Sequence, residues 1–201
     1  MALLFAKNNS LSAITALPAS VSGGRLNLIS TQTASSSSTI DFTSGIDSTS
    51  KEYIFKFINI HPSADGSQFL FNLSADNGSN YNVTKTTTAF RSFHSEDDSA
   101  TGLGYYTGGD LAQSTDFQRF ADSLGNDNDQ SLSGSFTLFN PSSTTFVKHF
   151  IANVNYSYDA DYSLQYFMAG YGNTTSAINA IQFKMNSGNI DSGTITLYGI
   201  N

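Results

Sequence analysis

Apolar and polar residues alternate along a series of short segments from about residue 26 onward. Alternation with a period of two is typical of β-strands that bury one face. Turn signals such as Asp65-Gly66 and Asn77-Gly78 separate these segments. The pattern therefore predicts strands at 26–33, 37–43, 52–60, 68–74, 85–93, 132–139, 144–154, 163–171, 178–185 and 193–199.

Many short strands with frequent turns are typical of an all-β domain. A chain of 201 residues is long enough to bury one sizeable core. We therefore predict an all-β fold, an antiparallel β-sandwich of jelly-roll type, over residues 36–201. Within the segment 52–60, aromatic residues share one face and isoleucines the other, which predicts a strand covered on both sides.

The interval 95–130 breaks the regular strand pattern. It is polar and acidic, but it contains spaced apolar residues, namely Leu111, Phe117, Phe120 and Leu124. A long connection without secondary structure of its own is uncommon in a compact domain. We therefore predict that this interval packs on the sandwich and includes a short helix.

The first residues of the chain lack the alternating pattern and are rich in Ser and Thr. Apolar residues recur only weakly there, and Pro18 would end any helical turn. Such a segment has too little apolar surface to offset the entropy lost on ordering, so it should order only against a partner. We predict that residues 1–35 form an extended N-terminal docking arm. Its docking residues are Leu3, Leu4, Phe5, Leu11, Ile14 and Leu17.

Composition narrows the functional classes. Only 12% of residues are charged and the net charge is −7, which argues against nucleic acid because phosphate binding requires clustered Lys and Arg. The chain has no cysteine, which excludes disulfides and thiolate chemistry. No apolar stretch approaches the roughly 20 residues of a membrane span. We expect neither membrane insertion nor cleavable export.

The sequence gives little support for catalysis or for a cofactor. Asp127 and Asp129 resemble half of a calcium loop, but the glycine and the glutamate that complete such a loop are missing. A solvated turn is the favoured interpretation. Asp159 and Asp161 alternate next to tyrosines and form the one candidate pair for a glycosidase. Two surface carboxylates in a turn are the favoured interpretation here too, and we predict no enzyme.

Two tyrosine clusters are candidate binding surfaces. Tyr105 and Tyr106 lie among glycines, and Tyr156, Tyr158 and Tyr162 surround a second turn. Tyrosine on such loops offers a large amphipathic contact area at low entropic cost. The clusters therefore suit recognition of a host glycan or a protein receptor, and they suit contacts between subunits equally well.

Several stretches resemble virion proteins. Residues 7–18 (KNNSLSAITALP), followed by a Gly pair and the strand 28–33 (LISTQT), are similar to the N-terminal segment of tail-fibre and other structural proteins of marine bacteriophages. Residues 40–49 (IDFTSGIDST), 139–146 (FNPSSTTF) and 187–195 (SGNIDSGTI) resemble β modules of the same class. The resemblance spans most of the chain.

The resemblance implies a virion structural protein, because proteins of this class act as fibres, receptor-binding tips or capsid decorations, often as trimers. We expect a short tail fibre or receptor-binding subunit on the exterior of the particle, assembled in the host cytoplasm. The expected partners are other virion proteins and a host surface glycan. Typical fibres have a long shaft, which this chain lacks, so capsid decoration stays as the alternative. A polysaccharide depolymerase is less favoured, and the resemblance transfers no catalytic residue.

Overall fold

A computed structural model describes residues 26–200, which form twelve strands and contain no helix. No element of this part of the chain is a helix long and apolar enough to cross a membrane. The strands are β1 Leu26–Thr33, β2 Ile40–Phe42, β3 Glu52–Pro62, β4 Phe69–Ser74, β5 Lys85–Ser95, β6 Thr101–Tyr105, β7 Gln118–Arg119, β8 Leu132–Phe139, β9 Lys148–Tyr158, β10 Tyr162–Gly172, β11 Ala180–Met185 and β12 Ile190–Ile200.

The strands form two antiparallel sheets packed face to face. The larger sheet has eight strands in the order β1-β12-β3-β8-β9-β10-β5-β6, and the smaller has four in the order β2-β11-β4-β7. The chain crosses between the sheets repeatedly, whereas β8, β9 and β10 follow one another as adjacent strands. The predicted all-β sandwich is confirmed. The jelly-roll connectivity stays a prediction.

The core between the two sheets is built from phenylalanine. Residues that alternate along β3, such as Phe55 and Phe57, point toward the smaller sheet and meet Phe183 of β11 with ring centroids 5.4 Å apart. Tilted and edge-to-face rings interlock more favourably than rings stacked face to face. Deep aromatic packing of this kind lets a chain without cysteine hold its two sheets together.

The prediction that β3 is covered on both sides is wrong. Phe55 and Phe57 are buried, but Ile58 on the opposite face is 52% exposed. Asn59 adopts a positive φ of 50°, and the pairing with β8 shifts between Phe57 and Ile60. This bulge returns Ile60 to the core. The outer face of the large sheet is therefore not covered by the described part of the chain.

The short helix predicted within 95–130 is also wrong. The interval contains the strands β6 and β7, and Phe120 and Leu124 are buried in extended segments. The Phe120 amide donates to the carbonyl of Phe69 (2.7 Å), and the Leu124 amide donates to that of Ser67 (2.8 Å). Hydrogen bonds to β4 and to the residues just before it thus satisfy these amides, as intrahelical hydrogen bonds would in a helix.

Residues 26–33, which the sequence analysis assigned to the docking arm, form β1 at one edge of the large sheet. They pair antiparallel with β12, with a bulge between Leu28 and Ser30. The sandwich therefore begins before residue 36. The predicted docking residues between Leu3 and Leu17 lie outside the described residues, and their role stays a prediction.

Two lysines are buried at one end of the large sheet, on either side of Gly172. Lys148 of β9 and Lys85 of β5 both pair with this glycine and both are fully buried. Lys85 Nζ donates to the carbonyl of Val83 (2.8 Å) and to the side-chain oxygen of Asn72. Lys148 Nζ donates to two backbone carbonyls. Because these partners are uncharged, burial lowers the pKa of Lys85 to about 8.

We expect this lysine to make the protein more stable as the pH rises above 8. The folded chain loses the Lys85 proton near pH 8, whereas an unfolded lysine retains it up to its ordinary pKa of 10.5. Between these values the unfolded state binds more protons, so the free energy of unfolding rises with pH, by up to about 3 kcal/mol in total. Urea unfolding between about pH 7.5 and 9 measures the first part of this rise, because few unfolded tyrosines, with an ordinary pKa of about 10, are ionised in that range.

The slope should become clearly smaller in Lys85→Met, which keeps the aliphatic stem and removes the titrating group. The part that remains is expected from Lys148, because burial lowers the pKa of this lysine as well. Lys51→Met is the matched control, because Lys51 is exposed and its removal should leave the slope in place. A slope that persists unchanged in Lys85→Met would show that Lys85 is not its source.

Candidate functional site

A cavity of about 440 Å³ opens at the end of the large sheet where β9 turns into β10. The sheet register creates it, because Leu164 of β10 pairs with Phe93 of β5 and Tyr162 pairs with Tyr158. Arg91, two residues before Phe93, lies on the same face of β5. We call this cavity the tyrosine pocket. Its lining residues are Arg91, Phe93, Ala100, Tyr158, Ala160, Tyr162 and Leu164.

Three aromatic rings give the tyrosine pocket its shape. The rings of Tyr158 and Tyr162 are perpendicular, with centroids 5.8 Å apart. The ring of Phe93 meets Tyr162 at 76° and 5.7 Å. Edge-to-face contacts of this kind fix the rings relative to one another.

A buried carboxylate holds the arginine of the pocket in place. Arg91 Nη1 lies 2.9 Å from Asp122 Oδ2, and the Arg91 guanidinium lies 4.0 Å above the Tyr106 ring. Asp122 also accepts hydrogen bonds from the hydroxyls of Tyr106 and Tyr156, each at 2.6 Å. Asp122 is the centre of this network, in which both the charge and the carboxylate oxygens have partners.

The network shifts the ionisation of its members in opposite directions. Burial alone would raise the pKa of Asp122, but the two tyrosine hydrogen bonds and the Arg91 charge outweigh it and hold that pKa below its usual range. Burial, together with the Asp122 charge, raises the pKa of Tyr156. At neutral pH the site therefore contains an ionised Asp122–Arg91 pair and neutral tyrosines.

This arrangement suits the binding of a small polar ligand with an apolar face. The rings supply flat apolar surface, and a guanidinium has five N–H donors, so its bonds to Asp122 do not exhaust them. Because the charges of Arg91 and Asp122 compensate each other, the pocket offers donors without a strong local field. A volume of about 440 Å³ falls within the usual range for small-molecule sites.

The structure divides the five tyrosines predicted as contact residues into three environments. Tyr158 and Tyr162 line the pocket on either side of the turn between β9 and β10. Tyr156 is buried and Tyr106 is half-buried, and both donate to Asp122. Tyr105 lies on the opposite face of the large sheet, where it is exposed and donates to Asp110. Tyr106 and Tyr156, one from each sequence cluster, thus meet through Asp122.

The sequence alone did not indicate that Arg91, Phe93 and Asp122 belong to the site. The bond between Arg91 and Asp122 joins residues 31 positions apart, and it forms because β5 passes close to the segment that follows β7. Neither residue belongs to a recognisable motif. An isolated arginine on the core face of a strand is the signal that was available, because it requires a buried acidic partner.

The candidate acid pair Asp159 and Asp161 lies in the tight turn between β9 and β10. Asp161 adopts a positive φ of 61°, and its amide donates to the carbonyl of Tyr158 (3.0 Å). Partial burial raises the pKa of Asp159, and the charges of Asp65 and Asp122 raise it further. The carboxylates that influence Asp159 thus come from elsewhere in the fold.

Asp127 and Asp129 lie in the turn before β8. Both are exposed, and the amide of Gln130 donates to the carbonyl of Asp127 (2.9 Å), which closes a β-turn. Residues 26–200 contain no cluster of three or more potential His, Cys, Asp or Glu ligands. The turn interpretation agrees with this local hydrogen bonding.

Comparison with known proteins found no match to the chain. No protein-family model matches the chain, and neither the curated proteins nor the solved structures include a match to it. A functional proposal for this chain therefore rests on its own residues and on the geometry of the tyrosine pocket.

Proposed function

We propose that this chain is a structural protein of a bacteriophage virion, a short tail fibre or receptor-binding subunit, and that the tyrosine pocket binds a host surface glycan. The observation that carries the glycan assignment is the set of aromatic rings in fixed orientation next to Arg91, at the end of the large sheet where β9 turns into β10. Asp122 fixes the position of the Arg91 guanidinium. The stretches that resemble phage structural proteins support the virion assignment. The chain acts by adhesion, without turnover.

The chemistry of the pocket favours a neutral sugar. The apolar faces of a pyranose ring match the flat surfaces of tyrosine and phenylalanine rings, and its hydroxyls accept hydrogen bonds from Arg91. A strongly acidic glycan is disfavoured because the chain has a net charge of −7 and Arg91 is already paired with Asp122. The volume of the pocket suits one or two sugar rings at the end of a glycan chain.

Attachment to the particle is assigned to the N-terminal arm. The segment is apolar in places and contains one lysine and one arginine before Leu26, which suits an arm that orders by burying Leu3, Leu4 and Phe5 against another virion protein. The edge position of β1 is compatible with a chain that enters the sandwich from its margin. A homotrimer is the oligomeric state that the resemblance implies, and it competes with the two-fold pair inferred below from the outer face of the large sheet.

We expect Tyr162→Ala to weaken glycan binding by about 30-fold, or about 2 kcal/mol, because it removes the ring that contacts both other aromatic residues of the pocket. Ala100→Trp should have a similar effect by filling the pocket while it leaves every aromatic residue in place. The measurement is a glycan microarray to find the ligand, followed by titration calorimetry of each variant.

Tyr105→Ala is the matched control, because it removes an exposed tyrosine that lies on the other face of the large sheet. Its affinity should equal that of the wild type. Equal binding by wild type and Ala100→Trp would exclude the pocket as the site. The bound oligosaccharide should also be recovered intact, since new reducing ends that disappear in Asp159→Asn would indicate the depolymerase alternative.

Capsid decoration is the second candidate function, and one observation favours it. The outer face of the large sheet is broad and exposes apolar side chains, among them Leu28 and Ile151. A surface of this kind suits contact with another protein. If the chain strengthens the capsid, particles without it should release DNA at a lower temperature than complete particles.

A further inference from the structure

The outer face of the eight-stranded sheet has the properties of a protein interface. We define it as the side chains of β1, β12, β3, β8, β9, β10, β5 and β6 that alternate with the core residues. Leu28, Ile58 and Ile151 on this face are 63%, 52% and 54% exposed. An apolar groove of about 510 Å³ opens on the same face next to Ile151 and Tyr171. Contiguous exposed apolar surface of this kind marks interaction sites.

The size of the face matches what a stable complex buries. Eight strands about 4.8 Å apart, with an average length of about 30 Å, span roughly 1,100 Å², whereas a standard interface buries about 800 Å² per partner. The outer faces of all eight strands adjoin, so the surface is continuous from β1 to β6. The outer face is therefore large enough to bind one flat partner surface.

A row of mostly apolar residues crosses the strands of the face. Each residue of the row is the direct pairing partner of the next. The row consists of Leu28, Tyr198, Ile54, Thr137 and Ile151.

The charges of the face are few and lie on opposite sides of this row. On β3, Glu52 and Lys56 flank Ile54 at a distance of two residues in each direction. A two-fold axis that runs along the row, midway between two facing copies, would place Glu52 of one copy over Lys56 of the other. By symmetry, Lys56 of the first copy would lie over Glu52 of the second. Interfaces between identical copies are self-complementary in this way.

The same axis brings compatible aromatic residues together. Phe167 lies in the line of paired residues that contains Lys56. Glu52 pairs with Phe139 and Tyr171 pairs with His149, and continuing the β8–β9 register by one residue beyond Leu138 and Phe150 places these two pairs in one line. The rotation exchanges these two lines, so Phe167 of one copy faces Tyr171 of the other. Phe90 already stacks on Phe167 at 4.8 Å, and a second copy would cover this pair.

We infer that two copies of the chain pack outer face to outer face, about a two-fold axis along the row from Leu28 to Ile151. The occupant is a second copy because the face is self-complementary in charge about this row and has the area that such a pair requires. Each copy leaves its tyrosine pocket at the sheet end, where Tyr158 and Tyr162 remain open to a ligand.

Sedimentation equilibrium of the full chain tests the inference. We expect twice the monomer mass of 21.6 kDa. Ile151→Arg should raise the dissociation constant at least about 100-fold, because it buries an unpaired charge in the interface. Thr175→Arg, in an exposed loop outside the face, adds the same charge and should leave the mass unchanged.

A charge swap tests the axis itself. Glu52→Lys and Lys56→Glu should each weaken the pair at least about tenfold by placing like charges opposite one another, and the double variant should restore most of the affinity. Circular dichroism confirms the fold of each variant. A monomer at every concentration, a trimer, or a dimer that Ile151→Arg leaves intact would overturn the inference, as would a double variant no better than the singles.

Discussion

Phe183→Ala is expected to lower the free energy of unfolding by about 3 to 5 kcal/mol, which is the usual cost of removing a fully buried aromatic ring. Phe183 is fully buried on the smaller sheet and contacts rings from both sheets, so the substitution leaves a cavity at the centre of the core. Urea unfolding measures the change. The rings within 6.2 Å of Phe183 are Phe42, Phe55, Phe57, Phe69 and Phe120.

Phe146→Ala is the matched control, because Phe146 is 68% exposed in the loop before β9. Its removal should change the free energy of unfolding by less than about 0.5 kcal/mol. If the two variants were equally stable, the sheets would not pack on each other through Phe183.

Asp122→Ala is expected to have an effect of the same size, about 3 to 5 kcal/mol, for an electrostatic reason. Breaking a buried ion pair leaves the other charge without a partner. Here Arg91 would lose its counter-ion, and the hydroxyls of Tyr106 and Tyr156 would lose their acceptor. Urea unfolding at neutral pH measures the loss. Asp122→Asn should lose less, since an amide oxygen still accepts a hydrogen bond.

The exposed pair of His94 and Asp98 supplies the control for Asp122. Its atoms also lie 2.9 Å apart, but both side chains are largely exposed, so Asp98→Ala should cost less than about 1 kcal/mol. Acidic pH should destabilise the protein for the same reason as Asp122→Ala, because the pKa of Asp122 is lowered in the folded state. Its stabilisation is present above the ordinary carboxyl pKa and is lost as the pH falls through the lowered one. A small effect of Asp122→Ala would contradict the network.

Much of the sandwich follows from local sequence. The strand predictions at 26–33 and 132–139 coincide with β1 and β8, because apolar alternation and turn residues agree there. The predictions fail where pairing between strands that are distant in the sequence decides the local structure. The bulge at Asn59 depends on the register between β3 and β8, and the two residues of β7 are held by their bonds to β4. Neither leaves a periodic signal in the sequence.

The candidate site could be predicted only in part, for a similar reason. Tyr158 and Tyr162 stand out in the sequence because they flank one tight turn, and both line the pocket. Asp122 lies in a segment with no periodicity, and its contacts with Arg91 and Tyr156 span 31 and 34 residues. A network that long-range pairing assembles is visible only in the fold.

We propose that the chain is a receptor-binding component of a virion. The test is gold-labelled antibody against the chain, applied to negatively stained virions from the source of the sequence. We expect gold at the tail, where a receptor-binding subunit must lie to reach the host surface. Gold across the head would contradict that placement and indicate capsid decoration instead, and particles without any gold would contradict the virion assignment itself.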